Sequence, residues 1–189
     1  MMCTILTAGD NMENLIDVIY YLFKMFENDE EKKAEFENEL IDYIKTQHDI
    51  EFLYEISPEG HNMISTAVEF KLENFLITVL KTYPEFVDKK ENDFPIFMAL
   101  YNCQEVCKTM LRERLDLVSV KDSHGDTFLH YCARRNQQDV LIEAVGINPN
   151  IFLIKNESGE SIYDIAKNKN LIEVEKTFEG RVSSKSILK

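Results

Sequence analysis

The chain has 189 residues, 44% of them hydrophobic and 29% charged, with six glycines and four prolines. Those proportions suit a single folded domain that buries roughly 70% of its unfolded surface, and they argue against long disordered linkers. A formal net charge of −13 repels phosphate backbones, so a basic protein is a better partner than nucleic acid.

Cys3, Cys103, Cys107 and Cys132 lack the close-set pairing of a zinc site and are too few for a disulfide framework. They read as packing residues in a reducing compartment, which predicts a cytoplasmic location. Met1 to Asp10 lacks the charged start and long apolar middle of a signal peptide.

Met12, Leu15, Ile16, Ile19, Leu22, Phe23 and Phe26 follow helical spacing over residues 11 to 27, with Asn11 as a cap. Asp17 and Lys24 interrupt a run already too short to span a bilayer, so no membrane association is expected. Tyr20, Tyr21 and Met25 make this helix apolar nearly all round, which predicts packing against the following repeat or a second interface. A second helix over about Asp29 to Thr46 places Phe36, Leu40, Ile41 and Ile44 on one face and a glutamate-rich set on the other. A third, short helix holds Ile50, Phe52, Leu53 and Ile56. The second and third together read as a degenerate opening repeat.

A pattern then comes round four times, anchored at Gly60, Asn92, Gly125 and Gly159, in steps of 32, 33 and 34 residues. Its fullest copy runs Gly125-Asp126-Thr127-Phe128-Leu129-His130-Tyr131-Cys132-Ala133. Each copy predicts a turn, a short helix with a small residue (Ala67, Ala99, Ala133 or Ala166), and a second helix with paired apolar residues such as Phe75, Leu76, Val79 and Leu80. One such helix pair cannot bury its apolar face alone, so neighbouring pairs must stack.

This pattern resembles the ankyrin repeat, whose Thr-Pro-Leu-His tetrapeptide is matched by Thr127-Phe128-Leu129-His130 with the proline lost. The fold implied is all-α: an ankyrin-repeat solenoid of stacked helix-turn-helix units with a non-standard helical N-terminal cap. The cap spans 1–56 and the repeats 57–87, 88–120, 121–154 and 155–178, followed by a flexible tail over 179–189. In the family the hydroxyl and imidazole of the tetrapeptide bond each other, so the resemblance makes His130 structural.

We find no glycine-rich phosphate loop, metal-binding helix motif or nucleophile turn in the sequence, so the reading is non-enzymatic, without cofactor, metal or catalytic residues. His48, His61, His124 and His130 fall on separate elements, and His61 and His124 read as solvated turn tips. The resemblance implies protein binding through the turn tips and the ends of the first helices. Carried onto this sequence, the tips are Glu59 and His61, Glu91 and Asp93, His124 and Asp126, and Ser158 and Glu160. The helix ends supply Phe70, Tyr101, Arg134 and Arg135 as anchors, since aromatic and arginine side chains favour interface hot spots. Acidic tips would steer a basic segment of the partner to a monomeric adaptor. The alternatives are a self-associating structural protein seamed by the apolar N-terminal helix, and an enzyme regulator. Small ankyrin proteins include host-directed factors of intracellular bacteria and viruses, and the Lys-, Asn- and Ile-rich composition resembles that of AT-rich genomes.

Overall fold

A computed structural model describes residues 12–47, 51–88, 90–91, 94–95 and 100–186. Cys3, Asn11, His48, Ile50, the anchor at Asn92, the tip at Asp93 and the small residue Ala99 lie outside the described residues. Among the described residues the chain is all-α in class, apart from one two-residue strand pair, and it divides into two compact units, Met1–Phe86 and Val87–Lys189. Among the described residues, no helix is long and apolar enough to cross a membrane.

The N-terminal unit opens with α1 (Met12–Met25) and α2 (Glu30–Ile44). Asp29 caps α2 by accepting the Lys32 N–H. A 3-10 turn, Glu51–Leu53, stands where the third short helix was expected; it buries Phe52 and Leu53 but leaves Ile56 exposed. The pair α3 (Met63–Glu69) and α4 (Glu73–Thr82) completes the unit. Helix α2 packs along α4, and its buried Glu37 accepts the Phe75 N–H at 3.0 Å, satisfying a donor in the first turn of α4. Helix α1 buries Tyr20 and Phe23 against Phe70, at the end of α3.

The C-terminal unit begins with the antiparallel pair β1 (Lys90–Glu91) and β2 (Phe94–Pro95). Its helices are α5 (Gln104–Glu113), α6 (Phe128–Arg134), α7 (Gln138–Ile147), α8 (Ile162–Asn168) and α9 (Ile172–Ser186). Long helices stack on long ones, α5 on α7 and α7 on α9, and the short α6 stacks on the short α8. Their facing sides bury Val106, Met110, Val140, Leu141, Val145 and Val174. Each such side chain contributes about 1.5–3 kcal/mol relative to exposure. Helix α9 continues through Ser186 instead of ending near Phe178, and no proline follows to interrupt it.

Three helix pairs share one register. Gly60, Gly125 and Gly159 have φ of 87°, 73° and 77°, and eleven residues later Lys71, Asn136 and Asn170 have φ of 55°, 59° and 55°. Between these points the short helix is capped by Asn62 with Ser65, Thr127 with His130, or Ser161 with Asp164: a capping box with three different partners. The helix then ends in a bond from Leu72 N to Ala67 O, Gln137 N to Cys132 O, or Leu171 N to Ala166 O. That register corrects one assignment. The small buried residue of the 125 pair is Cys132, equivalent to Ala67 and Ala166, and Ala133 is its neighbour.

Candidate functional site

In the C-terminal unit the turn before α6 is held by Asp122. Its backbone N–H donates to Asp126 O, and its Oδ1 accepts the N–H groups of His124 and Asp126 at 2.8 and 2.9 Å. The turn before α8 repeats this with Asn156, whose Oδ1 accepts the Glu160 N–H at 3.0 Å. The two turns join through Glu157 N–H to His124 O, 3.0 Å, and a Cβ on Gly125 would stand 2.8 Å from that same Glu157 nitrogen.

This geometry turns Asp126 inward. It is buried, receives both nitrogens of the Arg134 fork and accepts Asn156 Nδ2 at 2.9 Å. Burial pushes its carboxyl up, but Arg134 and Asn156 outweigh that and hold it below the ordinary carboxylate range. Asp126 is therefore not a presented tip, as the sequence suggested, but the centre of a buried polar cluster. His130 lies beside it, fully buried. Thr127 N–H donates to His130 Nδ1 at 3.0 Å and the Thr127 hydroxyl lies 2.9 Å from the same nitrogen, the structural role expected. Its Nε2 faces the backbone of Glu160 and Ile154 without completing a hydrogen bond. Burial lowers its pKa, so the imidazole is neutral.

Tyr101, Arg134 and Arg135 are brought together. The Tyr101 and Tyr131 rings stack with centroids 5.3 Å apart and planes 18° apart. The Arg135 guanidinium lies 5.4 Å from the Tyr101 centroid, with Nη2 donating to the phenol oxygen at 3.3 Å, and Arg134 lies 5.7 Å from the Tyr131 centroid. Tyr131 donates to Asp122 at 2.6 Å, and burial followed by that carboxylate raises its pKa. Gln137 Nε2 donates to Tyr101 O. Arg135 stays exposed while Arg134 is committed to Asp126. His124 is exposed; Glu91 lies in β1.

In the N-terminal unit Phe70 is 6% exposed, locked between Phe23 and Tyr20, and so is not a presented anchor. His61 is not a solvated tip either. Its Nδ1 lies 2.9 Å from Asp17 Oδ1 and its ring stacks on Tyr20 at 3.7 Å. Ser57 donates to the same Asp17 oxygen at 2.5 Å, and Tyr21 donates to Glu59 Oε2 at 2.5 Å. Partial burial raises the Asp17 carboxyl, but Ser57 and His61 more than reverse it, leaving it below the usual range. Asp17 escaped the sequence reading because α1 lies 44 residues from His61; its one signal was a carboxylate interrupting an apolar helix face.

No protein-family model matches this sequence, and no curated protein matches it.

Proposed function

We propose that the chain is a non-enzymatic, ankyrin-type module that binds a partner protein through the stacked tyrosines and arginine of its C-terminal unit. The observation carrying this reading is the Tyr101–Tyr131 pair with exposed Arg135 lying over it. The half-exposed ring pair and the exposed guanidinium are already held in place by one another, so they offer a partner contact at low conformational cost. The repeated register supports the family: turn glycine, capping box two residues on, and a left-handed residue eleven on. A net charge of −13 favours a partner that brings a basic segment, with Arg135 meeting an acidic or aromatic side chain at the centre of contact.

The test is a Tyr101→Ala/Arg135→Ala double variant used beside the wild type in affinity capture from a candidate host lysate. Both side chains are partly or fully exposed, so helical circular dichroism and melting temperature stay near wild type. The partner captured by the wild type is lost. Equal capture by both proteins removes this platform from consideration.

A second reading, self-association, has its own observation. Val18, Tyr21 and Met25 form an exposed apolar stripe at helical spacing on α1, with Met25 at 69% exposure. Under that reading Met25→Asp converts a dimeric mass in sedimentation equilibrium to a monomeric one; a monomeric wild type ends it.

A further inference from the structure

The geometry points to a site for one divalent transition-metal cation, zinc by preference, formed by Asp17, Glu59 and His61. A carboxylate oxygen of Asp17, a carboxylate oxygen of Glu59 and a ring nitrogen of His61 all lie within 4.8 Å of one another. Zinc bonds such atoms at about 2.0–2.2 Å in tetrahedral geometry, so donors sharing one ion sit about 3.3–3.6 Å apart. Closure from this arrangement needs a shift of up to about 1.5 Å in the widest pair, within reach of a side-chain rotation. Glu59 supplies it most easily, because it is exposed at a turn tip while Asp17 and His61 are half-buried.

The chemistry of the set is selective. One imidazole nitrogen with two carboxylate oxygens suits zinc and its first-row neighbours, whereas calcium and magnesium favour oxygen donors alone. The donors are also held from behind, which a chance surface cluster does not require. Ser57 donates to Asp17 at 2.5 Å, and the Glu59 backbone supports the same carboxylate. Tyr20 stacks on the imidazole with planes 12° apart, and its own hydroxyl is tied to Glu69 at 3.1 Å. Tyr21 donates to Glu59 at 2.5 Å. Such outer contacts orient ligands and are themselves worth 10–100-fold in metal affinity.

Binding replaces the hydrogen bond between His61 and Asp17. The Nδ1 lone pair goes to the ion, the remaining imidazole proton sits on Nε2, and both carboxylates bind ionised. Three protein donors leave a further position for water. Asp17 belongs to α1, while Glu59 and His61 belong to the turn before α3, so the ion would clip the first helix to that turn.

Titration of the full, reduced chain with Zn²⁺ by calorimetry tests this, with Ca²⁺ as comparison. One Zn²⁺ binds per chain, the melting temperature rises, and a chelator reverses the rise; Ca²⁺ does neither. Glu59→Gln keeps shape at an exposed position and weakens Zn²⁺ binding at least about 10-fold, and His61→Gln abolishes it. Co²⁺ gives visible d–d bands without a thiolate charge-transfer band. Absence of Zn²⁺ binding, undiminished binding in Glu59→Gln, or a thiolate band pointing to the cysteines overturns the site.

Discussion

Arg134 closes on Asp126 with two guanidinium nitrogens, at 2.7 and 2.9 Å, around a carboxylate whose residue is 6% exposed. The pair joins the turn before α6 to the last turn of that helix, and Asn156 extends it to the following turn. Breaking a fully buried pair costs about 3–5 kcal/mol, but the Arg134 side chain is 36% exposed and water screens part of the loss. Arg134→Ala is therefore expected to destabilise by about 2 kcal/mol in urea unfolding. Adding Asp126→Asn to it restores part of that, because the stranded charge is gone. A loss below about 0.5 kcal/mol in the single variant would mean the pair behaves as an exposed one.

Gly125 and Gly159 share a left-handed backbone but not their surroundings, so the same substitution separates strain from crowding. At Gly159 nothing lies within 4 Å of an added Cβ, and Gly159→Ala carries the left-handed penalty of about 1–2 kcal/mol. At Gly125 the Cβ meets Glu157 N at 2.8 Å and disturbs its hydrogen bond to His124 O. Gly125→Ala is expected to cost at least about 1 kcal/mol more, and denaturant midpoints of the two variants measure the difference. Equal midpoints would show that the turns separate without penalty.

Much of this architecture was legible because a backbone with φ above zero selects glycine, and three of the four sequence anchors fall on such positions. Helix existence was equally readable from apolar spacing, with α2 beginning one residue after the expected start at Asp29, which serves as its cap. What failed did so for reasons of partnership. Ala133 and Cys132 are both small and buried, and composition could not say which accepts the Gln137 N–H. Asp126 beside a turn glycine looks solvated until Arg134, eight residues on, folds back over it. Phe70 ends a short helix whose outer side is covered by α1, and Asp17 meets His61 only across the same packing. The left-handed residues at 136 and 170 did carry a signal, an asparagine eleven residues after each glycine.

His130 makes stability fall with acid. Burial depresses its pKa, with Asp126 opposing the fall and Arg134 adding to it, so the folded chain refuses a proton that the unfolded chain accepts near pH 6.5. Stability is thus complete above that value and declines below it, by up to about 1.4 kcal/mol per pH unit, until the folded imidazole also titrates. Asp126, with its lowered pKa, adds its own loss below about pH 4, outside this window. His130→Gln keeps a capping partner without the titration. Urea midpoints between pH 7 and 5 should fall for the wild type and stay flatter for the variant; parallel slopes would place the acid sensitivity elsewhere.

Lys71 is the one departure from asparagine among the three left-handed residues that end the short helices. Its N–H bonds Val68 O at 3.3 Å, and the next N–H, of Leu72, bonds Ala67 O at 2.8 Å. Asn136 and Asn170 stand in the same pair of bonds, so the backbone requirement is shared and the side chain is what differs. A lysine there bears steric strain that asparagine reduces and glycine removes, although glycine also loosens the unfolded chain by about 0.4–1 kcal/mol. Lys71→Asn is expected to stabilise by a few tenths of a kcal/mol and Lys71→Gly by about 0.5 kcal/mol, both raising the melting temperature. Lys71→Val, branched at Cβ, should lower it by more than either gain. If valine melts with the wild type, the loop relaxes out of the left-handed region and the shared register does not extend to this pair.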